Sequence, residues 1–243
     1  MSDPFIIDAA GPVARITLNR PQEGNILTLD AVRALTKTIT ELGMPADRRA
    51  ILLSGAGSDF CLGRDTQGGS SGSGEKPTAL QLRAGLIAPI LDLYRALRET
   101  PVPVIAIVHG RSFGLGCALV SACDVAIAAG SARFKLPEME KDLPPTLAMS
   151  AMLQRVPPKT IAYLVYSMAE IDASVARMAG IVSHVVPQSE LTKAGEELGT
   201  ILSRRAPAAV KAVKEYLRSA IYMDASGAAD LAGISLVNVL ASA

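Results

Sequence analysis

Hydrophobic positions along this chain fall into two periods. Residues 12–21, PVARITLNRP, set Val13, Ile16 and Leu18 among small or polar residues before Pro21 ends the run, which predicts a strand. Residues 28–43 then place Leu29, Val32, Leu35 and Ile39 at helical spacing, with Gly43 as the stop. RAILLSGAG (49–57) and PVPVIAIVHG (101–110) are unbroken apolar runs closed by glycine, the pattern of strands buried on both faces. DVAIA (124–128) reads as another strand and GIVSHVVP (180–187) as strand-like, while LGCALVSACD (115–124) reads as a helix between strands. Leu82, Leu86, Ile90, Leu93 and Leu97 trace a further helix that Pro89 must kink or interrupt. From residue 147 onward the pattern is mostly helical, over 147–156, 157–169, 173–180, 190–205 and 207–220. A tail carries Leu231, Ile234, Val237 and Leu240 on one stripe, with little chain left to cover it, so a neighbouring subunit is its expected cover. Strands with intervening helices, followed by helices alone, predict an α/β fold with a helical C-terminal part.

Composition narrows the functional classes. With 49% hydrophobic and 19% charged residues in 243, the chain has the material for a sizeable core and is not a disordered segment. A formal net charge of +1 offers no footprint for nucleic acid or an anionic membrane surface. No apolar run approaches membrane-spanning length, and MSDPFIIDAAG lacks the basic start of a signal peptide. Three cysteines, Cys61, Cys117 and Cys123, without a C-x-x-C pair, suit reduced thiols and a cytoplasmic setting. With His109 and His184 as the only histidines, no metal site is expected. The single low-complexity stretch, QGGSSGSGEK (67–76), has the composition of flexible coil, either a mobile loop beside a pocket or a surface linker.

The segment HGRSFGLGCAL (109–119) supports two chemistries. Gly110-Arg111-Ser112-Phe113-Gly114 matches the G-x-S-x-G nucleophile elbow, and a triad could be drawn from Ser112, Glu138 or Asp142, and His184. Against it, no HGGG-type oxyanion segment lies upstream, and His184 falls in a strand-like run. The alternative is that the small-residue run Gly114-Leu115-Gly116-Cys117-Ala118 brings bare backbone N–H groups up to a ligand oxygen.

Five segments in register favour the second chemistry. ILLSGAGSDFCLGRD (51–65), PVIAIVHGRSFGLGCALVSACDVAIA (103–128) and ARFKLPEMEKDLPPT (132–146) together resemble the enoyl-CoA hydratase/isomerase family, the crotonase superfamily. VARITLNRPQEGNILTLDAV (13–32) and ARMAGIVSHVVPQSEL (176–191) are similar to that family's opening and to its segment before the last helices. The resemblance implies a crotonase-like spiral of ββα units, with residues 1–188 as the core domain and 189–243 as a helical oligomerisation region shorter than the family's. It further implies a coenzyme A thioester substrate with no permanently bound cofactor, and a homotrimer or a hexamer formed by two trimers.

By the same resemblance, the amides of Arg64 and Leu115 form an oxyanion hole, supported by Gly63, Asp65, Gly114 and Gly116, and Glu138 is the catalytic base. Asp65 is expected to cap or fix its loop. Ala118 stands where the family's hydratases carry a first glutamate. Hydration needs both a base for water and an acid for the α-carbon, whereas one carboxylate suffices for a 1,3-proton shift, so the pattern points toward an isomerase. Glu140 and Asp142 are the nearest other carboxylates in that loop. Three departures bear on substrate. Arg64 replaces a small residue, Leu115 replaces glycine or alanine, and Glu23 stands where many members place a lysine near the CoA phosphates. A Ser112 hydrolase and a non-catalytic member of the fold remain the other readings.

Overall fold

The computed structural model describes residues 3–65 and 77–241, so the glycine–serine stretch 67–76 lies outside the described residues. The chain begins with β1 (Phe5–Asp8) and β2 (Val13–Leu18), paired antiparallel. Helix α1 (Leu29–Gly43) follows, its N-terminus capped where the Thr28 hydroxyl accepts the Ala31 amide at 3.1 Å. Strand β3 (Ala50–Gly55) lies parallel to β2. Next, α2 (Ala79–Leu82) runs through a π turn, Arg83–Ile87, into α3 (Ala88–Glu99). The predicted interruption at Pro89 takes this form. Proline lacks an N–H and crowds the carbonyl of the preceding turn, and the wider turn just before it relieves both defects.

Strands β4 (Val104–Val108) and β5 (Arg111–Phe113) lead into α4 (Leu115–Ala122), then β6 (Val125–Ala129) and β7 (Arg133–Lys135). A 3₁₀ turn, Glu138–Lys141, precedes α5 (Thr146–Met152) and α6 (Pro158–Ser167). The remainder is β8 (Ile171–Asp172), α7 (Ala173–Met178), β9 (His184–Val186), α8 (Leu191–Ser203), α9 (Pro207–Ala220) and α10 (Ala225–Ala241).

Two sheets result. The larger has the order β1-β2-β3-β4-β6-β9, and the smaller has the order β5-β7-β8. From β2 to β9 every pairing in the larger sheet is parallel, so both of its faces need cover. One face sends Ile16, Ile51, Val104, Ala106 and Ala126 into the main core with α1, α3 and α4. The other sends Val13, Leu52, Ile105, Ile107 and Ile127 against α8. Alternate residues therefore go to different but equally apolar layers, which is why β3 and β4 read as continuous hydrophobic runs.

Helix α8 seats closely because it presents glycine to the sheet. A Cβ on Gly195 would fall 2.5 Å from the Ile107 side chain. Helix α9 is fastened differently. The buried Lys214 ammonium donates to the carbonyls of Leu97 (2.8 Å) and Val102 (2.9 Å) and to Asp124 Oδ2 (2.8 Å), which satisfies all three of its protons. Helix α10 packs along α9 and buries none of its side chains fully, and Ile234, Val237 and Leu240 of the expected stripe stand exposed. No helix among the described residues is long and apolar enough to cross a membrane.

Candidate active site

The site forms where the loop after β3 meets the start of α4. Asn25 opens the construction. It is buried, holds φ +56°, and its Nδ2 donates to the carbonyls of Ala56 (2.8 Å) and Asp59 (2.7 Å). Asparagine tolerates this left-handed conformation better than other residues of its size. The Asp59 carboxylate then receives the Arg111 guanidinium through Nε and Nη2, both at 2.8 Å, and the Arg111 amide at 3.0 Å. These bonds to Arg111, together with one from Ser58, hold the Asp59 carboxyl down at about 2 against the opposing effect of burial.

This clamp aligns the loop with β5. The Cys61 amide donates to Arg111 O at 3.2 Å, and the Phe113 amide donates to Cys61 O at 3.0 Å. Its contribution to stability depends on pH in a definite direction. The Asp59 pKa is depressed, so the stabilisation is complete above the ordinary aspartate value of 3.8 and is lost as pH falls toward 2. Asp59→Asn is expected to cost about 1–3 kcal/mol at neutral pH. Its deficit relative to the parent should shrink between about pH 4 and pH 2; urea unfolding at pH 7 and pH 3 checks both points.

Two amides emerge from this frame without acceptors among the described residues. Arg64 bridges Leu27 in parallel fashion, the Leu27 amide donating to Gly63 O (3.0 Å) and the Asp65 amide to Leu27 O (2.9 Å). In such a bridge the central residue's own N–H faces away, and among the described residues the Arg64 amide meets no acceptor. Leu115 is the first residue of α4, whose opening amides have no intrahelical partner. Gly114, at φ +50° and ψ −117°, makes the turn into that helix, a conformation that favours glycine.

The two segments that carry these amides meet at Gly63, and the groove between them is the candidate slot. A Cβ on Gly63 (φ +117°) would lie 3.3 Å from Phe113 O and 3.9 Å from Leu115 N. Gly116 lets the first turn of α4 press on the facing backbone, since a Cβ there would fall 2.1 Å from Cys61 O.

Glu138 completes the arrangement from the 3₁₀ turn after β7. A Cβ on Gly114 would lie 3.0 Å from Glu138 Oε1, which places the carboxylate against the turn that presents Leu115. Its Oε2 is buried with no hydrogen-bond partner among the described residues. Burial pushes the Glu138 pKa up, and a hydrogen bond from its own amide only partly offsets this. Tyr94 and Cys117 lie within electrostatic range of the same carboxylate. The buried Cys61 and Cys117 thiols are each pushed up to about 12 and stay protonated, so neither is a thiolate nucleophile.

The slot and the carboxylate thus gather every residue in the resemblance's site: Gly63, Arg64 and Asp65 from the loop, Gly114, Leu115 and Gly116 from the helix start, and Glu138. Ala118 is fully buried in α4 beyond the turn. The other carboxylates do not join. Glu140 is exposed and paired with Lys135 at 2.6 Å, and Asp142 is exposed at the left-handed end of the 3₁₀ turn.

The Ser112 triad is not assembled. Ser112 is wholly buried in the middle of β5, paired with Phe134 and Cys61, and its hydroxyl has neither solvent access nor a hydrogen-bond partner among the described residues. The strand-to-helix turn is made by Gly114, two residues later, which removes the geometric basis of the elbow. His184 lies exposed on β9 of the other sheet, paired with Ile127. His109 sits at a strand end, its Nε2 at 2.9 Å from Gly57 O. No group of three or more potential metal ligands occurs among the described residues.

The sequence reading missed the residues that build the frame. Asn25 follows a glycine in QEGN, a weak turn signal, and the Asp59–Arg111 clamp joins residues 52 positions apart, which no local pattern reveals.

Comparison with known proteins assigns this architecture to a class. The sequence profile of the enoyl-CoA hydratase/isomerase family matches residues 8–232. The chain belongs to that family, and its mixed α/β architecture is the crotonase fold. A short-chain-enoyl-CoA hydratase of Clostridium acetobutylicum is 31% identical over 221 residues, 90% of this chain and 82% of the relative. The crystal structure of an enoyl-CoA hydratase from Mycobacterium smegmatis superposes with a TM-score of 0.91 at 28% identity, covering 98% of this chain and 91% of that one. A Thermobifida fusca protein solved in complex with CoA superposes with a TM-score of 0.87 at 27% identity, covering 98% and 93%. As a member of this family the chain is an acyl-CoA enzyme.

Proposed function

We propose that this enzyme shifts the double bond of an enoyl-CoA from the β,γ to the α,β position. Glu138 is the single proton carrier, and the Arg64 and Leu115 amides are the oxyanion hole. The observation that carries this reading is the buried Glu138 Oε2, without a partner among the described residues, beside two amides that likewise meet no acceptor among them, where Ala118 supplies no second carboxylate.

Glu138 takes a proton from C2 of the thioester, and the electrons move onto the carbonyl oxygen to give a dienolate. The two amides meet that oxygen, each being worth on the order of 3–4 kcal/mol in comparable holes. The first turn of α4 adds the positive end of its dipole. Protonated Glu138 then returns the proton to C4 on the same face, which leaves the conjugated thioester and regenerates the carboxylate. The raised pKa suits both halves of this exchange, because a carboxylate that is too acidic would not take the proton.

Hydration is the second reading, favoured by the names of the relatives. It requires an acid for the α-carbon in addition to a base for water, and neither Glu140 nor Asp142 is presented to the slot. Assay of a matched panel of 2-enoyl and 3-enoyl thioesters distinguishes the two. Conversion of 3-enoyl to 2-enoyl faster than water addition is expected, and rapid hydration without migration would overturn the isomerase reading. Ala118→Glu is expected to raise the hydration rate by about tenfold or more, read from loss of the conjugated absorbance.

The carboxylate of Glu23 is engaged by Arg20, an ion pair that mutes its charge where a CoA phosphate would be bound. Residues 189–243 are read as the oligomerisation region of a trimer or a pair of trimers. The exposed Val213, Leu217, Ile234 and Val237 on α9 and α10 support this. The buried reduced thiols suit a cytoplasmic enzyme.

A further inference from the structure

Arg64 contributes a side chain as well as an amide. The side chain is half-buried, and burial outweighs the nearby Asp65 charge in its effect on the guanidinium. Of its five N–H donors the described residues engage one, Nη1, which donates to the Asp65 carbonyl at 2.8 Å. Arg15, Arg111 and Arg155 each face a carboxylate within ion-pair distance, whereas no ion pair among the described residues includes Arg64. A partly desolvated cation whose burial outweighs the neighbouring Asp65 charge, and whose donors are mostly unengaged among the described residues, is costly, and an anionic ligand offsets that cost.

The chemistry of the substrate limits where the anion resides. The guanidinium and the oxyanion-hole amide leave the same Cα, so the charge lies within one side-chain length of the thioester oxygen. Over that reach the pantetheine arm of CoA offers only neutral amides and a hydroxyl, and the phosphates lie beyond it. The acyl group is the part of the substrate that can carry an anion there. We propose that this site takes an acyl group ending in a carboxylate, a short dicarboxylic enoyl thioester, and that Arg64 receives the carboxylate. The planar guanidinium suits a carboxylate held through two parallel hydrogen bonds. It also offsets the repulsion such a substrate meets from ionised Glu138.

The inference rests on the thioester placement proposed above, and its test separates the two. Calorimetry on the full chain compares two saturated, non-reacting thioesters of equal carbon count, glutaryl-CoA and pentanoyl-CoA. Glutaryl-CoA is expected to bind tighter by about tenfold or more. Arg64→Met should bring the ratio of the two affinities to about one, and Arg64→Lys should retain part of the preference. Equal affinities in the parent would overturn the proposal. So would a parallel loss for both ligands in Arg64→Met, because the guanidinium would then serve the shared pantetheine arm. Failure of both thioesters to bind would overturn the placement and the proposal together. A preserved affinity ratio with no turnover of any enoyl thioester would remove the isomerase reading and leave the acyl-group assignment standing.

Discussion

Glu138→Gln is expected to lower kcat by about a hundred- to ten-thousand-fold while leaving KM nearly unchanged. The amide keeps the volume and polarity of the side chain but cannot take a proton. The geometry adds a second readout. Because burial raises the Glu138 pKa, the base ionises at a higher pH than an ordinary glutamate. The parent's kcat should therefore rise with pH through that shifted pKa to a plateau, and the variant should lose the limb. The stability effect has the opposite sign to the activity effect. A carboxyl whose folded pKa is raised contributes stability in its protonated form, present below its unfolded pKa and lost as pH rises through the folded one. At neutral pH the parent pays for a half-buried charge that glutamine lacks, so Glu138→Gln should unfold at a higher temperature, with the difference fading in acid. A variant that kept its turnover would remove Glu138 from the mechanism.

Gly116→Ala is expected to be the most damaging small change. The added methyl would sit 2.1 Å from Cys61 O, 2.9 Å from Cys61 C and 3.0 Å from Cys61 Cβ, and none of these atoms is the free end of a side chain. Either α4 must retreat or the strand-like segment at Cys61 must move, at a stability cost of about 1–3 kcal/mol. Both movements separate the Leu115 amide from that of Arg64, because Cys61 and Leu115 bracket the slot. Loss of one donor from the hole should reduce kcat by about a hundred- to a thousand-fold. Gly233→Ala is the matching control. It lies within α10 with nothing inside 4 Å of the added methyl, so it should be neutral or slightly stabilising with activity intact. Thermal unfolding and steady-state kinetics on the pair separate a steric effect at the hole from a general effect of replacing glycine. Full turnover in a folded Gly116→Ala protein would show that the slot is not the oxyanion site.

The elements legible in the sequence are those whose neighbours along the chain share a face. Helix α1 carried its stripe and its stop, and β3, β4 and β6 showed themselves as apolar runs because both faces of the parallel sheet are covered. Strands β5, β7 and β8 were not legible. They span three, three and two residues, too few for a period to repeat. Strand β1 hid for another reason, since at the sheet edge Ile6 and Ile7 are both exposed and no alternation survives.

By itself the sequence determined the class of protein and the residues at issue, because the five segments keep their order and spacing and Glu138 and Ala118 are read directly from them. The five segments favoured a Leu115 amide over a Ser112 nucleophile in HGRSFGLGCAL, although the local motif there suited either. Every residue but proline has a backbone N–H, so an oxyanion donor carries no side-chain signature. Only the tertiary structure turned Ser112 into the core, paired Arg64 with Leu27 so that its amide faced outward, and joined Asp59 to Arg111 across 52 residues. A hole made of main-chain atoms exists only once distant segments are held together, and what holds them is an ion pair between a buried aspartate and a half-exposed arginine, an asparagine in a left-handed turn and three glycines without a Cβ.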